Sequence, residues 1–271
     1  MKDNVVVGRK NLRGKYMSNL IAKDISVYFG GLAALDKVSL EVLEGSITGL
    51  IGPNGAGKTT FFNCISRFQR YISGILKYGN RDLRRTRPHQ LVKLGISRTF
   101  QNINLFNSRS TLDNILIGMH SHIPNPFSAM LSLPGALKRE RYLLKQAEKI
   151  ADIVGIKDTL GETVNSLPYG IQKRVELARA LASKPRLLLL DEPVAGCNEE
   201  ETCELIDIIN YLNKEMKITI LLVEHDMTMV MSVCTYIYVL DFGKNIADGA
   251  PDEIQHNPAV IEAYLGEQNV S

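Results

Sequence analysis

Residues 52–60 carry the strongest chemistry in this 271-residue sequence. Within GPNGAGKTT, Gly52, Gly57, Lys58 and Thr59 satisfy the pattern G-x-x-x-x-G-K-[ST]. Glycines at that spacing let successive backbone N–H groups curl round a phosphate, and the N-terminus of a following helix favours its charge. The cradle so formed comprises Gly52, Pro53, Asn54, Gly55, Ala56, Gly57, Lys58, Thr59 and Thr60. Lys58 is placed to reach the β- and γ-phosphates of a nucleotide such as ATP. Thr59 offers a hydroxyl to Mg²⁺, which keeps several waters and takes few protein oxygens. The competing reading, a chance glycine-rich turn, needs four fixed positions to coincide, on the order of one time in a hundred for a chain of this length.

A second constellation is RLLLLDEP, in which four leucines end in Asp191 and Glu192. A continuous apolar run of this kind reads as a buried parallel strand, and ligands in such sheets sit beyond the carboxyl ends of the strands. Asp191 suits the task of holding Mg²⁺ through a water, and Glu192 that of polarising a water for attack on the γ-phosphate. Taken alone, acidic residues ending an apolar strand are more often ordinary strand-end charges. Their coincidence with the phosphate loop favours the chemical reading.

These groups need elements to hold them. Short β-type runs, LIAKDISVYF, VSLEV and SITGLI, fill residues 20–51 and break at Gly30-Gly31 and Glu44-Gly45. KTTFFNCISRF after the loop reads as a helix, and residues 74–78 as a strand. Between about 97 and 166 the character turns helical: TLDNILIGMH, then KRERYLLKQAEKIADIVG with Leu143, Ala147, Ile150 and Val154 on one face. The proline-bearing stretch 123–135 is expected to form an irregular connection between them. From Gln172 onward helix and strand alternate, QKRVELARALAS, LLLLD, EETCELIDIINYLNKEM and ITILLV, as crossover units of a parallel sheet do. The expected organisation is a basic, disordered tail at 1–17, one domain over 18–266 and a short tail at 267–271. Within that domain the core covers about 18–96 and 167–250, a helical subdomain about 97–166 and terminal helices about 251–266.

Bulk composition narrows the partners. With 32 Lys and Arg against 29 Asp and Glu the formal charge is only +3, so nothing calls for a nucleic acid. No apolar run approaches the ~20 residues that span a bilayer. The first residues lack a signal-peptide pattern, and Cys64, Cys197, Cys203 and Cys234 form no C-x-x-C pair, so a reduced cytosolic setting is expected.

The order of these motifs resembles the ATPase subunits of ABC transporters from about Asn19 to Gly266. That resemblance implies an α/β fold, a P-loop NTPase core with a parallel sheet, an antiparallel β-subdomain and an inserted α-helical subdomain. It also implies roles for single residues. Phe29, before Gly30, matches the aromatic that stacks on adenine, although a core aromatic on a strand is an equal reading. Gln101 in SRTFQN matches the glutamine that meets Mg²⁺ or the attacking water; otherwise it is a surface loop residue. His225 in LLVEHDM matches the histidine that contacts the γ-phosphate, against the common fate of a structurally satisfied histidine. PVAGCN, residues 193–198, resembles the loop that meets the partner ATPase, with Cys197 in place of a more usual leucine.

The signature that contacts nucleotide across a head-to-tail dimer departs from the family pattern. Where Leu-Ser-Gly-Gly-Gln is usual, this sequence has Leu167, Pro168, Tyr169, Gly170, Ile171 and Gln172. Pro168 fits a helix's first turn but removes a hydroxyl and an N–H, two donors to the opposing γ-phosphate. Gly170 still offers its N–H.

Within the family, FGGLAALDKVSLEV, SRTFQNINLF, LLVEHDM and NPAVIEAYLGE resemble the larger type of branched-chain amino-acid import ATPase. This implies a second, different ATPase chain, two integral membrane permease subunits and an external solute-binding protein. The membrane subunit would dock near Gln101 to Phe106, and the chain would sit peripherally on the cytoplasmic face of the membrane. Two alternatives remain: the ATPase type that powers lipopolysaccharide export, whose glutamine usually follows proline and not Phe100, and a soluble ABC ATPase that transports nothing.

Overall fold

The structure, a computed structural model, describes residues 20–101, 103–122 and 133–268. The tail expected at 1–17 lies outside the described residues, as do residues 123–132 of the proline-bearing connection. The strands among the described residues are β1 (Leu20–Phe29), β2 (Leu32–Val42), β3 (Ile47–Ile51), β4 (Ser73–Tyr78), β5 (Arg81–Asp82), β6 (Ile96–Arg98), β7 (Leu187–Asp191), β8 (Thr219–Val223), β9 (Tyr236–Asp241) and β10 (Lys244–Gly249). The longer helices are α1 (Lys58–Ile65), α2 (Thr111–Gly118), α3 (Leu133–Ile153), α4 (Tyr169–Ala182), α5 (Glu199–Lys214), α6 (Met227–Val233), α7 (Pro251–Gln255) and α8 (Pro258–Gln268). They fall into two compact units, the described parts of Met1–Pro88 with Thr219–Ser271, and of His89–Ile218.

In the first unit β3 lies between β8 and β9 and runs parallel to both, with Leu50 opposite Val223 on one side and Tyr238 on the other. Every residue of β3 and β8 is buried, Thr48 and Thr219 included. Helix α1 buries Phe61, Phe62, Cys64 and Ile65. A second, antiparallel sheet has the order β2-β1-β4-β5. Strand β2 begins at Leu32, six residues before the VSLEV run that the sequence shows. Lys37, at φ 56, interrupts the two-residue alternation there and hides the first half of the strand.

The sheet also ends on an antiparallel strand that sequence patterning misses: β10 pairs with β9, Lys244 opposite Asp241. Phe242 and Gly243 make the turn with φ 42 and 76. Two successive positive φ values suit a tight hairpin, but Phe-Gly lacks the Asn-Gly or Asp-Gly signature that announces one.

In the second unit β6 runs parallel to β7, Ile96 opposite Leu187, and β7 is buried throughout. Helix α2 starts on Ser110, whose hydroxyl accepts from the Asp113 N–H. It ends against α4 at Gly118, where any side chain would collide with the Arg179 carbonyl. Residues 133–135, expected in an irregular connection, instead open α3. Pro134 falls in that helix's first turn, where its missing N–H costs no intrahelical bond. Asn198 and Glu201 form a reciprocal capping box at the start of α5. Helix α8 of the first unit runs to Gln268, two residues into the tail expected at 267–271, whose remainder lies outside the described residues.

Candidate functional site

The phosphate-loop residues occupy the turn between the end of β3 and the start of α1. Gly52 has φ 146, and a side chain there would run into the Leu240 carbonyl. Gly57 has φ 102, and its Cβ would lie 2.6 Å from the Ala34 carbonyl oxygen. Glycine is required at both positions by conformation and by space. The loop is tied internally by Ala56 N–H to the Pro53 carbonyl at 3.2 Å, and from the β9–β10 turn by Gly243 N–H to the Ala56 carbonyl at 3.0 Å. Helix α1 carries no acidic residue in its first turn, so its positive end is not neutralised from within.

Lys58 is buried, and its ammonium donates to the carbonyls of Gly52 at 2.6 Å and Pro53 at 2.7 Å. Thr59 next to it is exposed. Phe29 ends β1 opposite Leu32 and is 52% exposed, which removes the reading of a core aromatic. His225 follows β8 with its side chain 57% exposed, so it is no buried structural histidine. Its N–H donates to Glu224 Oε2 at 2.9 Å, and its Nδ1 stands 3.6 Å from the same oxygen. Glu224 is fully buried and also accepts the Asp226 N–H at 3.3 Å, so one carboxylate organises the backbone that presents His225.

The second unit gathers the other residues singled out from the sequence. Asp191 closes β7 at 1% exposure, and its Oδ2 accepts from the Arg98 guanidinium of β6 at 2.6 Å. Its Oδ1 is buried without a hydrogen-bond partner among the described residues. Burial pushes the Asp191 carboxyl above the ordinary carboxylate range, and the Arg98 hydrogen bond and charge draw it back. Glu192 follows at φ 48, a left-handed conformation that a non-glycine residue rarely keeps unless its surroundings enforce it. Two contacts hold it: Lys173 Nζ donates to its carbonyl at 2.6 Å, and Gln101 Nε2 donates to its Oε2 at 2.9 Å. Gln101 and Glu192, 91 positions apart, are thus brought together.

The residues on either side of Gln101 are clamped from α4. Glu176, 3% exposed, accepts the Phe100 N–H at 3.3 Å, and Arg179 donates to the Asn104 carbonyl. Burial raises the Glu176 carboxyl and the neighbouring Arg179 lowers it. Leu167 is buried and Pro168 caps α4 with φ −55 and ψ 152, making no side-chain cap bond. Gln172 donates its N–H to the Pro168 carbonyl at 3.0 Å and its side-chain amide to the Leu167 carbonyl at 2.8 Å. Tyr169 is 46% exposed, and Gly170 lies against the Glu201 carboxylate, which would have to shift to admit a Cβ.

Three supporting residues escape motif reading. Arg98 and Lys173 lie inside quoted segments, SRTFQN and KRVELARA, whose polar neighbours give neither residue a signal of its own. Tyr264 of α8, whose hydroxyl accepts the Gly52 N–H at 3.0 Å, gave none.

In the second unit Asp191 Oδ1, buried without a hydrogen-bond partner among the described residues, is the kind of hard oxygen donor that Mg²⁺ takes alongside phosphate and water.

The chain as a whole is similar to known proteins. A family model described as ABC transporter matches residues 35–195, and one described as branched-chain amino acid ATP-binding cassette transporter matches residues 244–269. The chain is 40% identical over 244 residues to the high-affinity branched-chain amino acid transport ATP-binding protein BraF of Pseudomonas aeruginosa, covering 90% of this chain and 96% of the relative. It is 40% identical to the LivG protein of the same description from Salmonella typhimurium, covering 92% and 98%. Among solved structures, the ADP conformation of the ATP-binding cassette MJ1267 superposes with a TM-score of 0.80 at 30% identity, covering 93% of this chain and 100% of that one. A nucleotide-free ATP-binding cassette gives 0.77 at 32% identity, covering 92% and 99%. The chain therefore belongs to the ABC transporter family, as one of its nucleotide-binding ATPase cassettes.

Proposed function

We propose that this chain is the ATP-hydrolysing subunit of an importer for branched-chain or other hydrophobic amino acids. The observation that carries this reading is the match, over nearly the whole of both chains, to relatives described as high-affinity branched-chain amino acid transport ATP-binding proteins. The separate match of residues 244–269 to the corresponding cassette family supports it.

In this reading the Gly52–Thr60 backbone and Lys58 bind the phosphates, and Phe29 stacks on adenine. Asp191, Thr59 and Gln101 would hold Mg²⁺, which would offset charge on the phosphate oxygens. Glu192 accepts a proton from the attacking water, Gln101 keeps that carboxylate oriented, and His225 steadies the γ-phosphate and the water. Leu167, Pro168, Tyr169, Gly170 and Gln172 face the nucleotide of a second ATPase chain in a head-to-tail dimer.

No helix among the described residues is long and apolar enough to cross a membrane. In the proposed assembly this subunit sits peripherally on the cytoplasmic face, against two permease subunits, with a solute-binding protein delivering cargo on the far side. A groove lined by Phe106, Arg109, Asp113, Leu116, Ile117 and His120 supports docking on the second unit, since Phe106 and Ile117 hold exposed apolar surface there.

The test is uptake of labelled leucine, isoleucine and valine in cells lacking this chain. Wild type restores uptake and Lys58→Met does not. Uptake that is indifferent to the chain's absence would end the amino-acid reading and leave the ATPase assignment standing.

A further inference from the structure

The phosphate loop is held from outside at its first residue. Gly52 sits at φ 146, a conformation with no intrinsic preference behind it, so surrounding contacts must select it. Its two peptide groups are held by different parts of the first unit. The carbonyl accepts from the Lys58 ammonium at 2.6 Å, and the N–H donates to the Tyr264 hydroxyl on α8 at 3.0 Å. These two bonds differ in what nucleotide does to them. An ammonium that turns towards phosphate gives up the Gly52 and Pro53 carbonyls, whereas the Tyr264 bond does not involve Lys58. The loop then retains Tyr264 at Gly52 and Gly243 N–H at Ala56, beside its internal bond from Ala56 N–H to the Pro53 carbonyl.

We propose that Tyr264 is a positioning residue for nucleotide binding: its hydroxyl fixes the Gly52 peptide, so the terminal helix α8 contributes to ATP affinity although it touches no nucleotide. This rests on the phosphate-loop reading above. A loop already in its binding shape loses less conformational freedom when phosphate arrives, and that difference appears as affinity. One hydrogen bond of ordinary net strength corresponds to about a three- to tenfold change in an equilibrium constant.

The experiment uses the full chain and Tyr264→Phe, which keeps the ring and its packing and deletes only the oxygen. Four quantities are read: Kd for ATP, deuterium exchange of the segment containing Gly52, kcat at saturating ATP, and thermal stability. Expected are a Kd raised about three- to tenfold, faster exchange at the loop and kcat at saturating ATP close to wild type. Ile261→Ala, which trims an exposed side chain of the same helix, leaves all four unchanged. Wild-type affinity and exchange in Tyr264→Phe would overturn the proposal, and so would a fall in thermal stability with affinity intact, since the tyrosine would then serve only to pack α8. A wild-type chain that fails to bind ATP would instead remove the phosphate-loop reading.

Discussion

Gln101 donates from Nε2 to the Glu192 carboxylate at 2.9 Å, joining the segment after β6 to the residue after β7. An ionised carboxylate only accepts, so the amide must present its N–H₂ to Glu192, and the amide oxygen is the group it can offer to a cation. One side chain thereby connects the two roles proposed for it. Glu192 is meanwhile fixed in a left-handed backbone conformation by Lys173. Its direction is set by the protein before any water arrives, which is what a proton acceptor in hydrolysis needs.

From this arrangement Glu192→Gln is expected to separate binding from chemistry. Glutamine keeps the size and the backbone conformation but cannot take a proton, so ATP still binds with Kd within about threefold while turnover falls about 10²- to 10⁴-fold. Equilibrium nucleotide binding and single-turnover hydrolysis check this. Hydrolysis at the wild-type rate would remove Glu192 from the role of proton acceptor.

The Arg98 to Asp191 pair makes a prediction about stability. Both side chains are nearly inaccessible, 8% and 1%, so removing the guanidinium leaves a buried carboxylate without its partner. Arg98→Met is expected to cost about 3–5 kcal/mol, read as a lower urea midpoint with unchanged slope. The double variant Arg98→Met with Asp191→Asn recovers part of that loss, because no buried charge is left uncompensated. A loss below about 1 kcal/mol in the single variant would mean that water or another group replaces Arg98.

How far these relationships could be read beforehand depended on their range along the chain. Gly52–Thr60 declares itself because loop, lysine and helix start are consecutive, and Asp191 with Glu192 because an unbroken leucine run ends on them. The Arg98 bond crosses 93 positions and exists only because β6 and β7 pair in parallel; the Tyr264 bond crosses 212. No periodicity in either segment encodes the other's register. The β9–β10 hairpin was hidden for a local reason, the bulky Phe242 at a positive φ that turn chemistry normally reserves for small residues. Phe29 and His225 were ambiguous because residue type alone does not report exposure, and burial decided against the structural alternatives.

Pro168 carries the last prediction. It caps α4 without a side-chain bond, so the first-turn donors of that helix lack the acceptor a serine would supply. In the proposed head-to-tail assembly this end of α4 faces the nucleotide bound by the partner chain, and proline offers it neither hydroxyl nor N–H. Pro168→Ala restores the N–H alone, and Pro168→Ser restores both groups. ATP turnover of the assembled complex at saturating ATP is therefore expected to rise in the order proline, alanine, serine, by about ten- to a hundredfold overall if each recovered bond counts as an ordinary net hydrogen bond. The serine cap should also stabilise the isolated subunit by about 1 kcal/mol. Because that gain is measured without the partner, it separates from the catalytic effect: stabilised subunits with unchanged turnover would show that Pro168 shapes α4 and leaves the partner's ATP site untouched.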